Sequence, residues 1–409
     1  MTKSPSHKIP RAQRISADDA RRIAIRAQGL ALTPDRPKTV TDVLRLTGAV
    51  QLDTISVLAR SHELVAYARL GPVGRAAVED AYWGEPARAF EYFAHAACVL
   101  PLETWPLFAF RRGQLGRGVW PSLTTTNILD EVRARLKDGP VTASDLGGAR
   151  QSGGWWNWSD AKRALEVLYA RGEAVCTMRQ NWKRVYDLPE RVLPPHLLQR
   201  EPSPEECYRD LVQIASRALG VGTRRDIANY FYLLPLHLGR NLDRARLLDE
   251  ALANSNLVPV EVEGWDEPAF ADPAALSAQA PRGYRTTLLS PFDSLVWASP
   301  RQPGGSLRER TQRLFGYAFS FEAYKPKETR VHGYFTMPLL ANGRIAGHID
   351  PAREGRTLIA RNVSLHDPAA LEDMAAALRE AAAWVGCDAI RIDRVQPRSI
   401  APALKRALR

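Results

Sequence analysis

The sequence predicts an α+β protein in which tandem winged helix-turn-helix modules precede a C-terminal antiparallel domain that resembles a β-barrel. Two observations lead to this fold class. An order of helix, helix, longer helix and two-stranded hairpin runs from residue 124 to 188, and it recurs from residue 204 into a strand that starts at residue 257. Beyond Arg285 the segments are rich in β-branched and aromatic residues and are separated by Gly, Pro or Asn turns.

The N-terminal region is predicted to be a compact helical module with one strand. Residues 1–15 are expected to form a disordered basic arm, and Ser16 is placed to cap a helix that runs to about residue 29. A short helix follows from about residue 41 to 47. The apolar alternation of residues 49–55 predicts a strand, and another helix is expected from about residue 57 to 70.

The first clear winged-helix pattern has helices at 124–137, from Thr142 and at 159–171, followed by strands at 173–179 and 184–188. In such a module the third helix can enter the major groove of DNA while the hairpin, or wing, touches the backbone. The basic residues of this wing are Arg179, Lys183 and Arg184. Winged helices also serve as rigid spacers and protein contacts, so the pattern alone leaves a DNA-binding regulator and an enzyme equally open.

The C-terminal strands are predicted at 286–297, 315–324, 330–340, 344–350 and 357–365, before a closing helix at 367–385. The predicted units are a disordered basic arm at 1–15, an N-terminal winged-helix-like module at 16–122, a second winged helix at 123–200, a third winged helix at 201–283 and a β-barrel-like domain with a C-terminal helix at 284–409.

The composition indicates a soluble protein with an anionic partner. The formal net charge is +11, from 56 Lys and Arg against 45 Asp and Glu, and Arg far outnumbers Lys. Arginine is suited to bidentate phosphate contacts, which favours nucleic acid. Because GC-rich genomes also enrich arginine, charge alone leaves the partner open.

Neither a metal site, nor a cofactor, nor a membrane segment is expected. The 4 cysteines are far apart in the sequence and form no CxxC pair. No stretch of about 18 uncharged apolar residues occurs. The N-terminus lacks the apolar region of a signal peptide. We therefore expect a cytoplasmic protein, and a monomer.

The triplet Gln51-Leu52-Asp53 is the strongest candidate for chemistry. On a strand, the period of two places Gln51 and Asp53 on one face while Leu52 points into the core. An amide and a carboxylate would then stand side by side. A solvated sheet face gives the same pattern, so the spacing leaves both interpretations open.

Two further features have competing interpretations. His95 lies in the apolar run from Phe90 to Pro101, where a hydrogen-bonded core histidine and a catalyst are the alternatives. The aromatic stretch Gln151 to Trp158 could stack on bases or pack at a helix entry. Phosphate-loop, zinc-protease, nucleophile-elbow and dinucleotide motifs are missing from the sequence, which removes support for most hydrolase and nucleotide-dependent classes.

Several segments together resemble the bacterial winged-helix DNA glycosylases of the AlkZ/YcaQ family. The resemblance extends from about Ser16 to Arg394. The segments that carry it are the Gln51-Leu52-Asp53 triplet, Ala59-Arg60-Ser61-His62, Glu91 to His95, the run from 288 to 297, Arg310-Thr311 and Gly333-Tyr334-Phe335. Asp53 places the chain with the YcaQ-like, Gln-apolar-Asp branch. The residues from 298 to 306 look like an insertion.

The resemblance implies a C-shaped molecule with a concave basic surface for double-stranded DNA, and excision of N7-alkylated purines, including unhooking of interstrand crosslinks. It implies Gln51 and Asp53 as catalytic residues of a monofunctional hydrolase. Arg60, His62 and Arg69 follow the triplet and are predicted to contact phosphate or the lesion, with a solvated helix face as the alternative. The competing function is a winged-helix DNA-binding protein or transcription regulator without catalysis.

Overall fold

The computed structural model describes residues 12–118, 126–146, 160–234, 242–297, 309–318 and 321–409. Within these ranges the chain is a mixed α+β protein whose strands form three sheets. The aromatic stretch at 151–158 and the apparent insertion at 298–306 lie outside the described residues.

From the first helix to the third, the N-terminal elements follow the predicted order. They are β1 (Gln13–Ile15), α1 (Ala17–Ala27), α2 (Val40–Thr47), β2 (Val50–Gln51), α3 (Ser61–Leu70), α4 (Arg75–Trp83), β3 (Ala89–Phe93), β4 (Ala97–Pro101) and α5 (Ala109–Gly118). Ser16 caps α1 by accepting the backbone N–H of Asp19 at 3.0 Å, as predicted. Gly48 ends α2 in the left-handed conformation that glycine adopts without steric cost.

Residues 13–15 are not part of a disordered arm. They form β1, which pairs in parallel with a strand near residue 260. The backbone of this short basic segment is therefore ordered by a partner almost 250 residues away, which no local pattern could reveal.

The second region shares a sheet with the first. Its elements are α6 (Thr126–Asp138), β5 (Val141–Thr142), α7 (Asp160–Arg171), β6 (Val175–Gln180), β7 (Lys183–Asp187), α8 (Pro189–Val192) and α9 (Pro195–Leu198). The predicted hairpin is present, with Asn181 and Trp182 in its turn, both at positive φ. The strand order β2-β4-β3-β6-β7-β5 joins both regions, through pairing of Glu91 with Cys176.

The third region holds α10 (Pro204–Leu219), β8 (Val221–Thr223), α11 (Arg224–Tyr230), α12 (Arg244–Ala253), β9 (Val258–Val262), β10 (Ala269–Ala271) and α13 (Pro273–Ser277). Its strands form a sheet in the order β1-β9-β10-β8. The helices and the strand that begins near 257 follow the sequence prediction.

The C-terminal domain is an open sheet, so the predicted β-barrel is wrong. Its elements are β11 (Thr287–Leu288), α14 (Arg310–Phe315), β12 (Met337–Ala341), β13 (Arg344–Glu354), β14 (Thr357–Leu365), α15 (Leu371–Trp384), β15 (Ala389–Ile392), β16 (Val395–Gln396) and α16 (Ala401–Ala407). The strand order is β11-β12-β13-β14-β15, with β16 also on β14, and in the described part of the chain the ends of this path do not pair.

A helix covers one face of this sheet, where a barrel would have closed on itself. The chain leaves β14, forms α15 and returns as β15 in parallel with β14. Met374 and Leu378 of α15 share a buried cluster with Leu339 and Ile349 of the strands. One sheet face is thus buried by the helix, which supplies the apolar contact that a barrel would obtain by closing on itself.

The predicted strand at 315–324 is wrong in its described parts, and the strand predicted at 330–340 is confirmed only in its second half. Residues 321–334 form turns, and the next strand begins only at Met337. The carboxylate of Glu322 accepts the backbone N–H groups of Val331 and His332, each at 2.8 Å. Because a side chain satisfies these donors, the segment needs no neighbouring strand.

Candidate active site

Gln51 and Asp53 lie where the edge of the N-terminal sheet meets the C-terminal domain. Gln51 is the last residue of β2, an edge strand in the described sheet. The N–H of Leu52 donates to the carbonyl of Ala97 at 2.8 Å, and Asp53 begins the irregular path to α3. Leu52 is 7% exposed while both polar neighbours are half-buried, as the alternation predicts. The strand itself is shorter than expected.

Ser61 holds this segment in place. Its hydroxyl donates to the carbonyl of Gln51 at 2.8 Å and accepts the N–H of Asp53 at 3.0 Å. Ser61 is fully buried at the first turn of α3, so the start of that helix fixes the backbone on both sides of Leu52. The sequence placed Ser61 in a motif but gave no role for it.

The carboxylate of Asp53 is half-buried, and it has no cationic partner in the described part of the chain. Its Oδ1 accepts the N–H of Ile55 at 2.8 Å. Burial raises the pKa of Asp53, and the N–H groups of Ile55 and Thr54 oppose this only in part. Among the described residues, no Lys or Arg forms an ion pair with it. The site therefore holds negative charge available for a cationic partner.

Aromatic residues of the C-terminal domain stand beside this carboxylate. Tyr324 is 80% exposed, and its pKa is raised by partial desolvation from neighbouring side chains and then by the charges of Asp53 and Tyr334. Ile55 and Val57 pack in the same apolar cluster as Tyr334. The sequence placed Tyr334 in a motif without giving it a role, and it did not single out Tyr324, because both were predicted to lie in strands.

Arg60 remains available for an external anion. Its guanidinium lies 3.8 Å from the ring centroid of Trp182, in the turn of the β6–β7 hairpin. Arg60 forms no ion pair with an acid of the described chain. The stacking orients the side chain without neutralising its charge.

His62 is inside the protein and cannot contact DNA. It is 1% exposed and packs against Trp83 and Trp182 at centroid distances of 5.1 and 5.2 Å. Burial, followed by the charges of Arg179 and Arg60, lowers the pKa of His62 to about 3. It is therefore a neutral core histidine at physiological pH.

Arg69 forms a buried ion pair inside the protein and does not contact phosphate. Its guanidinium donates to both carboxylate oxygens of Asp293, at 2.6 and 3.0 Å, and both side chains have zero exposure. It also donates to the carbonyl and the side-chain oxygen of Gln28, each at 2.8 Å. This network ties α1 and α3 to the segment before residue 297.

Two cations of the predicted wing also point inward. Arg179 and Arg184 both donate to the fully buried carboxylate of Glu91, and Arg184 also reaches Glu166 at 3.3 Å. Burial alone would raise the pKa of Glu91, but the hydrogen bonds and charges of the two arginines outweigh it and lower the pKa. Of the wing cations only Lys183 is exposed, where it donates to Ser144 Oγ at 3.0 Å.

The model of the AlkZ-like DNA glycosylase family matches residues 44–384 of this chain. The chain belongs to this family.

The fold of this DNA glycosylase is similar to a solved structure, the DNA glycosylase AlkZ of Streptomyces sahachiroi. The two superimpose with a TM-score of 0.61 at 18% sequence identity, over 93% of this chain and 100% of the other. At this identity the likeness concerns the fold alone.

His95 of this DNA glycosylase is a hydrogen-bonded core histidine, which was one of the two interpretations left open by the sequence; the other was a catalyst. Its ring stacks on Trp297 with a centroid distance of 4.2 Å and an interplanar angle of 4°. Nδ1 lies 3.1 Å from the carbonyl oxygen of Asn229, and burial lowers the pKa of the ring against the effect of this bond. Several motifs behind the family resemblance thus build the interior, while Gln51 and Asp53 reach the surface.

All 4 cysteines are buried and unpaired. In the described ranges no group of three His, Cys, Asp or Glu side chains is arranged to hold a metal ion. None of the described helices has the length and apolar composition required to cross a bilayer.

Proposed function

We propose that this DNA glycosylase hydrolyses the N-glycosidic bond of cationic N7-alkylated purines in double-stranded DNA, including purines in interstrand crosslinks. Asp53 and Gln51 are the proposed catalytic residues. The observation that carries the proposal is a half-buried carboxylate without a cationic partner in the described chain, two residues after Gln51 at a sheet edge, on backbone that Ser61 holds in place.

The chemistry suits so small a site. Glycosidic hydrolysis usually needs an acid to protonate the leaving group and a second carboxylate. An N7-alkylated purine already carries positive charge and leaves as a neutral base, so no acid is required. Asp53 would stabilise the oxocarbenium-like sugar and accept a proton from water, for which a raised pKa is favourable, while Gln51 holds that water.

A base tied to the opposite strand cannot rotate freely out of the duplex, as bases do in most enzymes that act on them. The edge position of β2 supports access from outside rather than through a deep pocket. No lysine is among the described residues that interact with Asp53, which supports hydrolysis without strand cleavage.

The DNA would lie on a concave, C-shaped surface. We propose winged helices at 123–200 and 201–283, an N-terminal module at 16–122 and a C-terminal domain at 284–409, in a monomer that acts in the cytoplasm. The order α10, β8, α11, α12, β9, β10 supports the third-region winged helix. Arg60 and Lys183 are the two sequence-predicted cations that remain as proposed phosphate contacts.

The proposed reaction is tested with a duplex that contains one 7-methylguanine. After incubation with the protein, hot alkali is expected to cut the strand at the lesion, whereas a duplex with unmodified guanine stays intact. A second duplex with a nitrogen-mustard crosslink is expected to separate into single strands. Without alkali-labile sites above the enzyme-free level, the proposed hydrolysis is ruled out.

The excision rate is expected to fall as the pH is lowered through the pKa of Asp53. Protonation removes the charge that stabilises the sugar cation, and because burial raises this pKa, the acid limb should lie above 3.8, the ordinary value. Single-turnover rates between about pH 4 and 8 measure it, with spontaneous depurination subtracted. A rate that stays constant down to the lowest pH contradicts the role of Asp53 as a base.

Ser61→Ala is expected to slow excision by about tenfold, since it frees the backbone on both sides of Leu52 and a small misplacement of reacting groups is costly. The variant should also lose about 1–3 kcal/mol of stability, because the N–H of Asp53 and the carbonyl of Gln51 lose their partner. Single-turnover kinetics at a temperature below the melting transition separates the two effects. Unchanged kinetics would show that Ser61 has no positioning role.

A further inference from the structure

A basic cleft opens on the C-terminal sheet. It has a volume of about 560 Å³. Its cationic lining residues are Lys327, Arg330, Arg361 and Arg394, against the single carboxylate of Asp350. Asp350 Oδ1 accepts the N–H of Phe335 at 2.9 Å, so part of its hydrogen-bonding capacity is used by the backbone. The cleft therefore has an excess of positive charge.

The cations of the cleft differ from several neighbouring arginines, because they form no ion pair with an acid among the described residues. Elsewhere in the same domain Arg356 pairs with Asp388, and Arg391 pairs with Glu354 and Asp393. Lys327, Arg361 and Arg394 are exposed and form no ion pair with any acid in the described part of the chain. Charges left unpaired in one concave place favour an anionic ligand.

The cleft is held in shape by the surrounding chain. Arg361 lies on β14, and the carbonyl of Arg394, between β15 and β16, accepts the N–H of Val363 at 2.9 Å, which fixes the backbone at the two arginines. Arg330 donates to the carbonyl of Lys325 at 3.0 Å and lies 5.0 Å from the ring centroid of Tyr334. The backbone of the cleft and the side chain of Arg330 would thus need little reordering on binding of a ligand.

Tyr334 links the cleft to Asp53. It lines the cleft and shares an apolar cluster with Ile55 and Val57, which follow Asp53 in the chain. Tyr324 is exposed to solvent, and both Tyr334 and Asp53 raise its pKa through their charges. Tyr334 of the cleft and Asp53 thus lie within electrostatic range of the same exposed tyrosine.

We propose that this cleft binds the phosphodiester backbone of DNA next to the lesion, through Arg361, Arg394 and Lys327, so that the sugar of the damaged nucleotide is held against Asp53. The inference rests on the proposed function for the identity of the ligand. The backbone is favoured over a free nucleotide because the cations come from separate segments along an open cleft, which suits consecutive phosphates.

The first test measures the salt dependence of binding to an undamaged duplex, which needs no catalysis. Arg361→Gln/Arg394→Gln is expected to weaken binding and to lower the slope of log K against log salt by about 2. The matched control is Lys405→Gln/Arg406→Gln, which removes two exposed charges of α16 that do not line the cleft. Equal slopes for both variants, with melting temperatures like that of the wild type, overturn the proposal.

The second test locates the phosphates. Neutral methylphosphonates replace single phosphates around a 7-methylguanine, and each duplex is titrated with the wild type and the Arg361→Gln/Arg394→Gln variant. Neutralising a phosphate that binds in the cleft should weaken binding by the wild type much more than binding by the variant. The difference between the two losses of binding free energy is the coupling energy at that position. Coupling is expected within a few nucleotides of the lesion, and its absence at every position overturns the proposal.

The outcomes separate this inference from the proposed function. If excision depends on Asp53 but the cleft variant has an unchanged salt slope, the proposed role of the cleft is wrong and the proposed reaction stands. If the cleft variant has a reduced salt slope but the wild type excises no base, the proposed reaction is wrong and the cleft is a DNA-binding site only. Inorganic phosphate that competes with duplex at concentrations comparable to the DNA phosphate would indicate a free-anion site and contradict backbone binding.

Discussion

Asp53→Asn is expected to reduce base excision by about 100-fold or more while leaving DNA affinity unchanged. The substitution keeps the shape of the side chain and an oxygen that can accept the N–H of Ile55, but it removes the charge and the proton acceptor. Single-turnover excision of 7-methylguanine and duplex binding by fluorescence anisotropy measure the two quantities. An asparagine variant with wild-type excision contradicts the proposed mechanism.

The same variant is not expected to lose stability, which excludes unfolding as the cause of its inactivity. The pKa of Asp53 is raised in the folded protein, so the fold holds that proton more tightly than the unfolded chain. Stability therefore falls as the pH rises between the ordinary and the raised pKa, and the penalty persists above it. At neutral pH Asp53→Asn should melt at the wild-type temperature or higher, and this advantage should disappear in acid.

Asp266→Asn is the matched control for this experiment. Asp266 is an exposed carboxylate in the third region, and its replacement removes the same charge without touching the proposed site. It should retain wild-type excision. Loss of activity in both variants would point to a general effect of charge rather than to a role of Asp53.

Arg69→Met is expected to destabilise the fold by about 3–5 kcal/mol, because it leaves the carboxylate of Asp293 buried without a counter-ion. Chemical denaturation measures the loss. Arg69→Met/Asp293→Asn removes the stranded charge as well and should recover part of the stability. If Arg69 contacted phosphate instead, the single variant would keep its stability and lose DNA affinity.

Arg75→Met provides the comparison for Arg69. Arg75 pairs with Glu79 one helical turn away, and its side chain is 60% exposed. An exposed pair of this kind contributes at most about 1 kcal/mol. A loss for Arg69→Met no larger than that for Arg75→Met would show that the buried network is not a source of stability.

Local patterns predicted much of the secondary structure. Ser16 caps its helix, Gly48 ends the next, and Asn342-Gly343 forms the β12–β13 turn with positive φ at both residues. These features depend on a few adjacent residues, whose backbone preferences are already present in the sequence. The loop at 321–334 was mispredicted because aromatic content does not reveal that Glu322 satisfies the backbone donors of Val331 and His332.

The sequence by itself determined the family, the mixed fold and the pair Gln51 and Asp53 as the place to look for chemistry. Only the tertiary structure decided which cations are free. Arg69 pairs with Asp293, which is 224 residues away in the sequence, and Arg179 pairs with Glu91, which is 88 residues away. Arg361 and Arg394 line one cleft and have no such partners in the described chain. Neutralisation of a charge depends on distance in space, and the order of residues along the chain does not specify that distance.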